Sequence, residues 1–164
     1  IAALNALKDY TTIEVRDNLF KSFLNEYKKE TTVINKYLAL EALSLDYGVV
    51  NKIKSFMQNE ELFSFSNPNK VWHLLGSFVF SNHLVFHKSD GESYNLLVEC
   101  ILKVDKINAS VAAYLATAFS GIARYSSENQ VLMLQCVNKI LKNKDISKGA
   151  YEILSKILES TNES

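Results

Sequence analysis

Apolar residues recur at intervals of three and four along almost the whole chain. Leu19, Phe20, Phe23, Leu24 and Tyr27 form one such stripe, and Val131, Leu132, Leu134, Val137 and Leu141 form another. That spacing belongs to helices that bury one face and solvate the other. No stretch alternates apolar and polar residues between turn dipeptides, so the pattern argues against a sheet. With one proline and five glycines, the chain also has few points at which a helix must stop.

Start signals divide this helical text. Thr11 or Thr12 caps a helix reaching about Lys29, and Thr31 or Thr32 caps one through Leu43. Another helix is expected from Tyr47 to Gln58. Asn67 followed by Pro68 is a strong start, because Asn accepts from free amides and Pro sits where no N–H is needed. That helix should reach about Phe80. Asp90 opens the next, to about Lys106, and Asn108 the one after, to about Arg124. Ser127-Glu128-Asn129-Gln130 fits a capping box, and Ser147 caps a final helix ending near Glu159. Short connections make neighbouring helices antiparallel. The expectation is an all-α chain, residues 1–164 forming a single irregular superhelix of helical hairpins, HEAT- or armadillo-like.

Charge narrows the partners. Lys+Arg and Asp+Glu both number 18, for a formal net charge of zero. A nucleic-acid surface calls for a basic excess, so neither nucleic acid nor an anionic membrane is an expected partner. No apolar run approaches the ~18 residues of a membrane span. The chain begins within helical text and without Met, which suggests part of a longer polypeptide. Cys100 and Cys136 sit inside apolar helical patterns and read as buried thiols of a reducing, cytoplasmic compartment. Lys139, Lys142, Lys144 and Lys148 make the one local basic run, read as solvated helix ends.

His83 and His87, four apart, can share a helix face as zinc peptidases require. Leu84 stands where such enzymes place a glutamate base, so the pair does not make that site. His73 reads as an ordinary helix residue. His87 and Asp90 read instead as a brace: Asp90 accepts amides at a helix start, His87 bonds that carboxylate or a loop carbonyl, and Gly91 permits close approach. Ser89 and Ser93 lack the strand-turn-helix elbow of a nucleophile.

Asn67-Pro68-Asn69-Lys70-Val71, with Phe86-His87-Lys88-Ser89-Asp90-Gly91-Glu92-Ser93-Tyr94, resembles the C-terminal helical region of bacterial-type aminopeptidase N enzymes. Asn35 to Ala42, Asn108 to Leu115 and the tail from Ile146 to Leu158 resemble that family in the same order. Departures include Ser93 for Gly, His83 and Ala109 for Pro, and Glu41 for Gln. Trp72 and Tyr114 stand where the family commonly places Arg. The resemblance implies a distal, non-catalytic part of a zinc aminopeptidase. Such a part carries no cofactor of its own and closes over the active-site chamber. The zinc site and its catalytic domain lie upstream in the same polypeptide, and peptides are the substrates. Two readings of Trp72 and Tyr114 follow from it: they line an altered, more aromatic cavity without the arginines that could hold a peptide carboxylate, or they are ordinary packing aromatics. Two other readings of the chain are a helical module holding a protein partner and a scaffold whose parent has lost the metal.

Overall fold

The computed structural model describes residues 2–7, 11–46 and 48–162. Helix is the only regular structure among them, and the chain divides into two compact units, Ile1–Asn82 and His83–Ser164. The all-α expectation holds.

In the first unit the helices are α1 (Ala2–Leu7), α2 (Ile13–Tyr27), α3 (Thr31–Ala42), α4 (Val49–Gln58), α5 (Pro68–Val71) and α6 (Ser77–Ser81). A π-helical turn, Trp72–Gly76, joins α5 to α6 without a break, so the helix expected from Pro68 runs on to Ser81. Asn67 caps it as its side chain dictates: Oδ1 accepts from the amides of Asn69 at 3.1 Å and Lys70 at 3.3 Å. Thr12 caps α2 through Val15 N, at 3.4 Å. Helix α3 differs from expectation: Thr31 is already helical, and Glu30 occupies the cap position without a side-chain cap bond. The start expected at Tyr47 lies outside the described residues. Helix α3 packs against α2, α4, α6 and the π turn, and so is buried nearly all round. Phe20, Leu38, Ile53, Phe63, Leu74 and Phe78 fill the core about it.

The second unit holds α7 (His83–Phe86), α8 (Glu92–Asp105), α9 (Ala109–Ala116), α10 (Ser127–Leu141) and α11 (Lys148–Asn162). Helix α8 packs on α9 and α10, and α11 packs on α9 and α10. Phe86, Tyr94, Leu97, Ile101, Phe119, Ile140 and Leu154 are buried between them. Asn108 caps α9 by accepting from Val111 N at 3.1 Å. That helix stops at Ala116, short of the expected Arg124, and gives way to 3-10 turns at Thr117–Phe119 and Ile122–Arg124. The Thr117 hydroxyl donates to Tyr114 O at 2.6 Å, a local bond that competes with continuation of the helix.

Two other starts move by one residue. The cap of α10 is Ser126 rather than Ser127, its hydroxyl accepting from Asn129 N at 3.3 Å. Gly91, not Asp90, precedes α8, in a left-handed conformation with φ 69°. Asp90 still serves the start: its carboxylate accepts from Glu92 N at 2.9 Å. At Ser147 the amide donates to Asp105 Oδ2 at 2.8 Å, and the hydroxyl donates to Asp105 Oδ1. The start of α11 is thereby tied to the end of α8.

A Cβ at Gly91 would lie 3.3 Å from Leu132 Cδ1 on a backbone that L-residues rarely adopt. Gly91→Ala should therefore cost about 1–2 kcal/mol in chemical denaturation. Gly121→Ala, at negative φ with Tyr125 at an ordinary 3.5 Å, should be near neutral or stabilising. Asn67→Ala should cost about 1 kcal/mol through loss of the cap.

Candidate functional site

Among the described residues, buried polar side chains form one cluster in each unit. In the first unit, Glu41 lies on the buried side of α3 and is 1% exposed. A lone carboxylate there would be prohibitively costly, so partners converge on it. Tyr37, one turn earlier, donates its phenol to Oε1 at 2.8 Å, and Lys52 Nζ from α4 pairs with Oε2 at 2.8 Å. Lys52 also donates to Asp17 at 3.2 Å and sits 5.8 Å from the centre of the Phe20 ring. Next to this group, buried Arg16 binds Asp17 at 3.1 Å, Asp46 at 3.2 Å and the Ser44 hydroxyl at 3.0 Å.

Desolvation raises the Glu41 pKa above the usual carboxylate range, with Lys52 and Tyr37 pulling against it. Asp46 moves the other way: the Gly48 amide, at 2.9 Å, and Arg16 hold it below its ordinary value. Phe20, Leu24, Tyr37 and Phe56 wall a small pocket of about 210 Å³ beside these charges.

In the second unit His87 takes neither of the partners expected from sequence. His87 Nδ1 lies 2.8 Å from the Tyr94 hydroxyl rather than against Asp90. Asp90 is engaged with the start of α8, while the first turns of that helix bring Tyr94 under the His87 ring. Tyr125 stacks on His87 at 3.9 Å, and the His83 ring lies parallel at 5.8 Å. Asn129 Nδ2 donates to His87 O at 2.7 Å, while its buried Oδ1 has no protein partner. Burial first, and then the neighbouring His83, bring the His87 pKa down to about 4, so the ring is neutral at pH 7. The Ser93 hydroxyl donates to Val85 O at 3.2 Å. A hydroxyl so engaged is a packing group rather than a nucleophile.

The cavity candidates Trp72 and Tyr114 are 37% and 38% exposed, on the π turn of the first unit and on α9 of the second. The structural motif residues Asn67, Pro68 and Asn69 form a helix start, and His87, Asp90 and Gly91 form the turn into α8. His73 Nδ1 lies 2.7 Å from Asn69 O, one turn back along its own helix. Cys100 and Cys136 are buried thiols, and burial pushes Cys100 up to about 12. Among the described residues no group of three or more His, Cys, Asp or Glu is placed to hold a metal ion. No helix there is long and apolar enough to cross a membrane. Sequence reading missed the cluster of Arg16, Asp17, Glu41, Asp46 and Lys52. The one signal for it was a carboxylate at position 41, inside the run from Tyr37 to Ala42 that is otherwise apolar.

Comparison with known proteins accounts for these motifs. The chain matches, over residues 1–159, the family described as "Domain of unknown function (DUF3458_C) ARM repeats", and it belongs to that family. It is 29% identical over 144 residues to aminopeptidase N of Haemophilus influenzae, covering 88% of this chain and 16% of the relative. Against aminopeptidase N of Escherichia coli it is 28% identical over 158 residues, covering 96% of this chain and 18% of that one. A crystal structure of Legionella pneumophila aminopeptidase A in complex with aspartic acid superposes with a TM-score of 0.89 at 30% identity. The superposition covers 96% of this chain and 18% of that one. The chain thus spans less than a fifth of the length of these relatives, and it corresponds to the C-terminal domain of an aminopeptidase N-like protein.

Removing Glu41 leaves Lys52 and Tyr37 facing an empty buried site. Glu41→Ala should cost about 3–5 kcal/mol by denaturant titration. Glu41→Gln, which keeps an acceptor for Tyr37, should cost less than half as much. For His87, the folded pKa of about 4 lies below the ordinary 6.5. Between those values the unfolded chain takes up a proton that the folded chain refuses. This contribution to stability is complete above pH 6.5 and is lost as pH falls toward 4. His87→Phe should flatten that limb of a Tm-against-pH profile.

Proposed function

We propose that this chain is the non-catalytic helical part of a zinc-dependent aminopeptidase. It closes over the active-site chamber of its parent polypeptide and restricts which peptides enter. The observation that carries this reading is the match itself: nearly all of the chain aligns, at 28% to 30% identity, with a minor fraction of several aminopeptidases. Its own donor set does not fit a zinc ion, since no trio of ligating side chains converges among the described residues. By resemblance, zinc and the water it activates belong to a catalytic domain upstream in the same polypeptide. The contribution of this chain is shape and lining.

Trp72 and Tyr114 are each proposed as a lining position. Both are exposed aromatics. Each replaces, by resemblance, an arginine suited to a peptide carboxylate. An aromatic ring there offers a stacking face and an apolar edge, favouring peptides without a nearby negative charge. The buried thiols of Cys100 and Cys136 accord with a cytoplasmic setting.

The test uses the full-length polypeptide. It should hydrolyse aminoacyl amides, lose that activity to a chelator and regain it with zinc. Failure with bound zinc present removes the peptidase reading. Trp72→Arg and Tyr114→Arg should each raise kcat/KM for short acidic peptides about 5- to 20-fold relative to the matching amides. Unchanged ratios in both variants would remove these residues from the chamber wall.

A further inference from the structure

One face of α10 carries a feature that neither the buried clusters nor the proposed chamber uses. Gln135, Lys139 and Lys142 follow one another at helical spacing and line a pair of adjoining recesses. The deeper, of about 180 Å³, lies between α8 and α10 and is bounded by Gly91, Asn95, Leu132, Gln135, Cys136 and Lys139. The shallower, of about 450 Å³, continues along α10 past Gln135, Asn138, Lys139 and Lys142. Gln135 and Lys139 are common to both.

Every polar side chain on these walls can donate a hydrogen bond, other than through the weak Cys136 thiol, and none is a carboxylate. The acids of the two helices, Glu92, Glu99, Asp105 and Glu128, line neither recess. Asp105 is already engaged with Ser147. Asn95 and Asn138 are oriented by bonds to their own helices, donating to Gly91 O at 3.0 Å and to Leu134 O at 2.9 Å. Each keeps a second N–H. By contrast, the side chains of Gln135, Lys139 and Lys142 have no hydrogen-bond or ionic partner among the described residues, whereas Lys148 is paired with Glu152. In a chain of zero net charge this groove carries two uncompensated positive charges.

The floor of the deeper recess is apolar, made by Leu132 and Cys136. Gly91 keeps it open, since a side chain there would press on Leu132 at 3.3 Å. Its volume is that of about six water molecules, room for roughly five to ten heavy atoms.

We infer that this groove binds a small dianion, of the carboxylate or phosphate class. One charged end lies between Gln135 and Lys139, and the other lies toward Lys142. A carboxylate or phosphate oxygen accepts what each wall offers and meets no opposing charge.

The experiment is amine acylation of the full-length protein read by peptide mass spectrometry at fixed ionic strength. Succinate, phosphate and neutral succinamide serve as probes. Saturating succinate or phosphate should slow acylation at Lys139 and Lys142 about tenfold at ten times the dissociation constant. Lys148 should be unchanged, and succinamide should do nothing. Protection by succinate alone, or by phosphate alone, assigns the site to that source. Gln135→Ala and Lys139→Gln should each weaken protection of Lys142, and an unaltered melting temperature would show that neither acts by unfolding. Equal protection of Lys148, an equal effect of succinamide, or none at Lys139 and Lys142 would overturn the inference. The readout is independent of hydrolysis, so it stands or falls apart from the peptidase reading.

Discussion

Helix α3 ends inside the protein, and much of the first unit is arranged around that constraint. A helix terminus leaves its last carbonyls without intrahelical partners, and water cannot reach these ones. Asn82, itself buried, brings its amide to this end, donating to Ala42 O at 2.9 Å and, just past the helix, to Ser44 O at 2.8 Å. The Ser44 hydroxyl accepts from Arg16, and Arg16 in turn fixes Asp17 and Asp46. The carboxylate of Glu41 sits on the same final turn and takes its partners from α3 itself and from α4. One buried helix end therefore sets where α2, α4 and α6 present their polar groups. The ionic cluster follows from that geometry.

The second unit solves a similar difficulty with aromatic rings. The turn between α7 and α8 must be tight, and Gly91 makes it so with a positive φ. His87 is then flanked by Tyr94, Tyr125 and His83, and it stays neutral because burial, and then the neighbouring His83, oppose its protonation. The residues that looked most like chemistry in the sequence are thus engaged in holding a turn. Uncommitted polar groups lie instead on the outer face of α10.

Helix identity was legible because it depends on local chemistry. Asn67 with Pro68, Thr12 and Asn108 each carry the side chain that a helix start requires, and each caps its helix. Misplaced starts occur where neighbouring residues offer similar chemistry. Ser126 and Ser127 are equivalent on paper, and only the path of the chain into α10 selects the first. The pairing of His87 was misassigned because a carboxylate three residues on looks nearer than a phenol seven residues on, until α8 folds back. The ionic cluster was out of reach for a different reason. Arg16, Glu41, Asp46 and Lys52 come from α2, α3, α4 and a connecting loop, and no local pattern announces contacts between residues some thirty positions apart. Motif order identified the family well before it located a site.

The π turn at Trp72–Gly76 has a consequence for helical phase. Buried positions along α5 and α6 fall in two rows at a strict spacing of four: Val71, Leu75 and Val79, and Leu74, Phe78 and Asn82. In an uninterrupted α-helix, four residues overshoot a full turn by about 40°, so two steps rotate such a row by about 80°. A π turn winds more slowly, near 4.4 residues per turn, and over five residues it falls back by about 90°. For the row Val71, Leu75 and Val79, which spans the whole π turn, the two rotations nearly cancel. The extra residue in the π turn acts as a phase correction that keeps that four-residue repeat on one face.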